Sequence, residues 1–187
     1  MKNMKVILKL LRPHQWAKNS FVFLPLFFNG KFTNLEFLFI TIIVFFVFSF
    51  AASGIYCFND ILDAEKDKLH PIKRHRPIAS GNIGKCSAFF IMLICFIISL
   101  LTIYFFSSYI KTHVYNLYWV IAIYILMNIF YCIKLKKMII VDVFVIAIGF
   151  VLRIFAGGLA TGILLSHWLV LMTFLLALLL AFAKRRD

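Results

Sequence analysis

Carboxylates are the scarcest chemistry in this sequence: seven Asp and Glu in 187 residues, against twenty Lys and Arg, for a formal charge of +13. Charged side chains of either sign make up only 14% of the chain, whereas hydrophobic ones make up 64% and include 23 Phe. At a mean hydropathy of +0.99, a water-soluble domain of this size has nowhere to hide so much apolar surface. Composition thus excludes a soluble globular protein and makes the bilayer the expected solvent. The four cysteines, Cys57, Cys86, Cys95 and Cys132, form no CxxC pair and lie in or beside apolar runs. They read as packing residues rather than metal ligands or disulfides. The basic opening MKNMKVILKLLRPHQWAK is not followed at once by a long apolar core and a small-residue cleavage site, so it reads as mature protein. The sequence contains no internal repeat and no low-complexity linker.

What is present is a series of uncharged runs. Six spans are expected, at about residues 17–30, 35–58, 86–107, 117–133, 138–161 and 167–183, because roughly 20 residues at 1.5 Å rise cross the hydrocarbon. The expected fold class is all-α, a polytopic transmembrane helix bundle. Its first run is the weakest: Lys18 and Lys31 bracket only twelve residues, interrupted by Pro25. It spans only if the lysines snorkel or the bilayer thins, and is otherwise re-entrant. Under six spans, seventeen of the twenty basic residues fall on one side, leaving Lys31 and Lys111 opposite and Arg153 within a span. Basic loops stay cytoplasmic, which places the N-terminus inside and the protein in the cytoplasmic (inner) membrane as a multi-pass protein.

Four of the seven acids sit within nine positions, in NDILDAEKD from Asn59 to Asp67. If the second span continues as a helix past the membrane surface, Asn59, Asp60, Asp63 and Asp67 share an arc of roughly 100°, with Glu65 pointing away. Clustered carboxylates repel unless a cation joins them. Hard oxygen donors with incomplete protein coordination suit Mg²⁺ whose other sites are filled by phosphate and water. The alternative is a solvated loop whose acids balance neighbouring lysines. Against it, the motif caps a span, acids are nearly absent elsewhere, and HPIKRHRPIASG follows directly. There Lys73, Arg74 and Arg76 supply phosphate-pairing cations on a backbone restricted by Pro71 and Pro77. His70 and His75 read as loop hydrogen-bonders. Topology and anionic lipid heads account for Lys2, Lys5 and Lys9 and for Lys134, Lys136 and Lys137.

Arg153 lies inside an apolar run, where a charge is costly unless it faces protein, water or a partner. It either meets a substrate phosphate or bonds an unsatisfied helix end across the bundle. Asp142 is on nearly the same helix face but about 16 Å away along the axis, so the two cannot pair within one helix. These embedded charges also keep a transporter or ion pathway open, a reading that gives the one-sided acid face no role. Gly157, Gly158 and Gly162, like Ser49, Ser53 and Gly54, are read as sites of close helix packing.

The string NDILDAEKD with its continuation HPIKRHRPIASG resembles the first aspartate-rich motif of the UbiA-type intramembrane prenyltransferase superfamily. LRPHQWAKN resembles one branch of it, the decaprenyl-phosphate phosphoribosyltransferases, and the terminal AKRRD resembles the start of that branch's second motif. The resemblance implies a bundle of about nine spans, six of them present here, with Mg²⁺ held between two acidic motifs. Residues 1–187 then form a single UbiA-like domain expected to be C-terminally truncated, since the branch pattern continues beyond Asp187. It implies transfer of a 5-phosphoribosyl group from phosphoribosyl pyrophosphate to a polyprenyl (decaprenyl) phosphate. Asn59, Asp60, Asp63 and Asp67 would hold metal and diphosphate, Asp60 and Asp63 being the catalytic pair. Lys18, Asn59, Lys73, Arg74, Arg76, Arg153 and Lys184 would bind substrate. The expected partners are phosphoribosyl pyrophosphate or a prenyl diphosphate, a polyprenyl phosphate lipid and the bilayer, with no nucleic acid. Three rivals remain: prenyl transfer to an aromatic acceptor on the same metal site, a transporter or ion pathway, and an inactive binding fragment.

Overall fold

A computed structural model describes residues 2–110 and 114–186. In it the chain is all-α. The helices are α1 (Lys2–Leu11), α2 (Leu24–Phe28), α3 (Leu35–Leu69), α4 (Lys85–Phe105), α5 (Val114–Ile133), α6 (Ile139–Thr161) and α7 (His167–Arg186), with a 3₁₀ segment, Pro13–Phe23, between α1 and α2. Asn34 starts α3: its side-chain oxygen accepts from the Glu36 and Phe37 amides at 3.0 and 3.3 Å, satisfying two of the donors that a helix start leaves free. The helix then runs without a break through the apolar stretch and on past Asn59, the extension on which the shared acid face depends.

α3 is the axis of the bundle, packed against α1, the 3₁₀ segment, α4, α5 and α6. Its buried Val44, Val47, Phe48 and Ala51 form one core with Ile103, Leu117, Ile121, Ala156 and Ala160. Small residues set the approach distances. A Cβ on Gly54 would lie 2.5 Å from the Phe96 ring, and one on Gly157 only 2.1 Å from the Val22 carbonyl oxygen. The 3₁₀ segment therefore lies in a groove between α3 and α6. Trp16 Nε1 donates to Ser53 Oγ at 3.0 Å and Asn19 Nδ2 to Ser49 Oγ at 3.0 Å, one helical turn apart on α3. Gly162 does not pack as expected but ends α6, with φ of 70° and its amide turned back to the last helical carbonyls.

The expected six spans are not found. Among the described residues four helices are long and apolar enough to cross a membrane: α3, α4, α5 and the Ile140–Thr161 part of α6. Residues 17–30 fail because they never form one α-helix: they divide between the 3₁₀ segment and the five-residue α2, with Pro25 at its start. Residues 167–183 form a helix, but the apolar part, His167–Ala183, falls short of a span. Lys111, expected on the outer side, lies outside the described residues, as do Asp187 and the side chain of Lys184.

The ends of the bundle are chemically distinct. The α1 C-terminus, the α3–α4 connection and the α5–α6 connection meet at one end, where Arg12, Arg76 and Lys136 all reach acids of α3.

Candidate functional site

At about 100° per residue, the acid face of α3 runs in the angular order Asn59, Asp63, Asp67, Asp60. Each edge of this arc has its own cation. On one edge Lys136 Nζ sits 2.7 and 2.6 Å from the two oxygens of Asp63 and 3.3 Å from Asn59 Oδ1. On the other, Arg76 Nη1 bridges Asp67 Oδ2 at 2.7 Å and Asp60 Oδ1 at 3.2 Å, while Arg12 Nη2 donates to the same Asp60 oxygen at 2.6 Å. Glu65 points away as expected and pairs on the surface with Lys68 and Lys85.

Asp60 is the most enclosed acid, only 1% exposed, and its second oxygen, Oδ2, is buried without a hydrogen-bond partner. A buried carboxylate oxygen left in this state is costly, so an incoming donor or cation would gain by meeting it. Arg12 reaches Asp60 because the chain turns sharply there. Pro13 disfavours a helical conformation at the residue before it, and Arg12 takes a left-handed φ of 52° that ends α1 and aims the guanidinium at α3, above the Tyr56 ring.

Below this face a cavity of about 720 Å³ opens between the 3₁₀ segment, α3, α5, α6 and α7. Its polar lining comprises Lys18, Tyr56, Asn128, Tyr131, Asp142 and Arg153. Arg153 is buried and held on three sides. Its Nε donates to Asn19 Oδ1 at 2.8 Å, Nη1 to the Gly149 carbonyl at 2.6 Å and Nη2 to Tyr124 Oη at 2.9 Å. The Phe48, Tyr124 and Phe150 rings pack on the guanidinium. These bonds use three of the five N–H groups that an arginine carries. Asp142 lines the same cavity but, as its helical distance requires, does not pair with Arg153.

The structure thus brings together Asn59, Asp60, Asp63, Asp67 and Arg76, and sets Lys18 and Arg153 in the adjoining cavity. Lys73 and Arg74 stay exposed on a short turn, with Arg74 Nε directed at His75. His70 and His75 act within the loop: His70 Nδ1 accepts from the Ile72 and Lys73 amides. Sequence reasoning missed Arg12 and assigned Lys136 to topology alone. Both partners are remote in the chain, 48 and 73 residues from their acids. The one local signal was Pro13 after Arg12.

Residues 20–187 match the UbiA prenyltransferase family. The chain belongs to that family. Among curated UbiA relatives it is 38% identical over 183 residues to the decaprenyl-phosphate phosphoribosyltransferase of Corynebacterium glutamicum, covering 96% of this chain and 53% of that protein. It is 34% identical over 183 residues to the enzyme of the same name from Mycobacterium tuberculosis, covering 96% and 58%. The chain thus spans about half the length of the curated relatives it matches. A solved UbiA homologue from Archaeoglobus fulgidus, bound to GPP and Mg²⁺, superposes with a TM-score of 0.73 at 20% identity over 92% of this chain and 60% of that one. At that identity the likeness establishes the fold.

The acid face of this UbiA chain presents hard oxygen donors of the kind a divalent cation takes, on both edges of its arc. Three hard oxygens of Asn59 and Asp63 already converge on a cation, the Lys136 ammonium, and Asp60 Oδ2 is an unpartnered oxygen. Among the described residues no three His, Cys, Asp or Glu side chains close into a ready metal cage. This donor set suits Mg²⁺ that takes its remaining ligands from phosphate and water.

Proposed function

We propose that the chain carries the first metal–diphosphate site of a transferase that moves a 5-phosphoribosyl group from phosphoribosyl pyrophosphate to a polyprenyl phosphate at the cytoplasmic face of the membrane. The observation that carries the reading is the one-sided acid face of α3, bordered by Arg12, Arg76 and Lys136 and lying one helical turn beyond Tyr56, which lines the cavity that holds Arg153. A soluble, polyanionic donor and a lipid acceptor must meet at the membrane surface, which is where the apolar part of α3 gives way to this face. The relatives named decaprenyl-phosphate phosphoribosyltransferase support this donor and acceptor.

In this reading Asn59, Asp60, Asp63 and Asp67 would hold Mg²⁺ and the diphosphate, and Arg76 and Lys136 are freed from their acids to pair with phosphate oxygens. Mg²⁺, when bound, supplies charge neutralisation for the departing pyrophosphate. The protein's share is positioning and fixed positive charge. Arg153, with Lys18 nearby, faces the acceptor phosphate. No strong general base is needed, because a phosphate oxygen is already anionic near neutral pH. Lys73 and Arg74, exposed on the turn after α3, would supply a cationic approach to the site, and Lys184 is assigned to phosphate by the family resemblance alone.

Prenyl transfer from an isoprenoid diphosphate to an aromatic acceptor on the same metal site is the second reading. Vesicles holding the chain, polyprenyl phosphate, an aromatic acceptor and Mg²⁺, given labelled phosphoribosyl pyrophosphate or labelled prenyl diphosphate, separate the two. Label in polyprenyl phosphate from the first donor alone supports the proposal; label in the aromatic acceptor from the second alone replaces it. Asp60→Asn and Asp63→Asn should each abolish turnover while the protein still inserts, and unchanged rates in both would reject the site.

A further inference from the structure

α1 has three faces. At about 100° per residue, Val6 and Leu10 fall together, Met4, Ile7, Leu8 and Leu11 form a second sector, and Lys5 and Lys9 a third. The first sector docks: Leu10 is completely buried, packed with Cys57, Ala64, Ile78, Ala88 and Met92. The second is apolar yet largely uncovered, with Met4 65% and Leu8 50% exposed. Both lysines on the third are exposed.

The position of α1 along the bundle is fixed by hydrogen bonds. Ser53 Oγ donates to the Leu11 carbonyl at 2.9 Å, and Lys9 Nζ to the His75 carbonyl at 2.9 Å. The helix is therefore anchored where the apolar length of α3 ends and the polar α3–α4 connection begins. Ten residues make about 15 Å of helix, half the hydrocarbon thickness, so α1 cannot cross it. An apolar stripe beside a lysine stripe, at the depth of the bilayer surface, is the pattern of a helix lying in the interface, with its apolar side among acyl chains and its cations among phosphates.

We propose that α1 is an in-plane helix that seats on anionic phospholipid headgroups of the leaflet at the acid-face end of the bundle. The charge decides the occupant: a sector bordered by lysines complements an anionic lipid surface, whereas a second copy of α1 would set like charges together. Seating also steadies Arg12, which follows α1 directly and holds Asp60.

The test uses the full chain with Cys86→Ser, which leaves only buried thiols among the native cysteines. A single nitroxide is attached through Leu8→Cys or Lys5→Cys in nanodiscs of phosphatidylcholine with or without phosphatidylglycerol; Met4→Cys substitutes if Leu8→Cys does not fold. The label at position 8 should be several-fold more accessible to oxygen than to a water-soluble nickel chelate, and the label at position 5 should show the reverse. Phosphatidylglycerol should move position 8 deeper, and Lys5→Gln with Lys9→Gln should erase that movement. Equal nickel access at both positions would overturn the proposal, as would dipolar broadening between labels of two copies. Depth independent of phosphatidylglycerol would overturn the headgroup recognition.

Discussion

Lys136 and Asp63 form the tightest ion pair on the acid face outside the Arg12–Arg76 group, and both side chains remain 22% exposed. Removing one partner of a half-buried pair strands the other. Lys136→Met is therefore expected to lower stability by about 1–3 kcal/mol, below the ~3–5 kcal/mol of a fully buried pair, measured as denaturant unfolding in detergent. Coupling in a double-mutant cycle with Asp63→Asn should recover much of that loss. Arg153 makes a stricter demand, because three partners in different directions match a planar fork and not a point charge. Arg153→Lys should cost about 2 kcal/mol or more in the same unfolding measurement, since Asn19, Tyr124 and the Gly149 carbonyl cannot all be satisfied by one ammonium.

At the scale of elements, the seat of the 3₁₀ segment against α6 depends on a missing side chain. Gly157→Ala would drive a Cβ to 2.1 Å from the Val22 carbonyl oxygen, a backbone atom that cannot rotate away. The segment must shift, carrying Asn19 from Arg153, and destabilisation of about 2–3 kcal/mol is expected. Gly149→Ala on the same helix is the control. Its Cβ would meet nothing closer than 3.5 Å, so better helix propensity should leave stability unchanged or raise it by up to about 1 kcal/mol. Thermal unfolding of both variants in one detergent distinguishes local crowding from a general dislike of alanine in α6.

For the whole molecule, the grouping of Arg12, Arg76 and Lys136 at one end makes orientation testable with a native residue. Cys86, at the start of α4 near that end, is exposed, whereas Cys57, Cys95 and Cys132 are buried. A membrane-impermeant maleimide should modify inside-out vesicles and spare right-side-out ones, and Cys86→Ser should abolish the labelling. Modification from the outside would reverse the proposed orientation.

Composition and hydropathy were enough to reveal an all-α membrane protein, and helical periodicity alone put Asn59, Asp60, Asp63 and Asp67 on one face with Glu65 turned away. Those properties are local, set by solvent and by the 3.6-residue turn. The span count was not legible, because whether residues 17–30 wind as an α-helix depends on Pro25 and on a groove between α3 and α6 that exists only after folding. Arg12 and Lys136 were equally hidden. Which cation meets which carboxylate is decided by chain segments tens of residues apart coming to the same end of the bundle, and only tertiary packing brings them there.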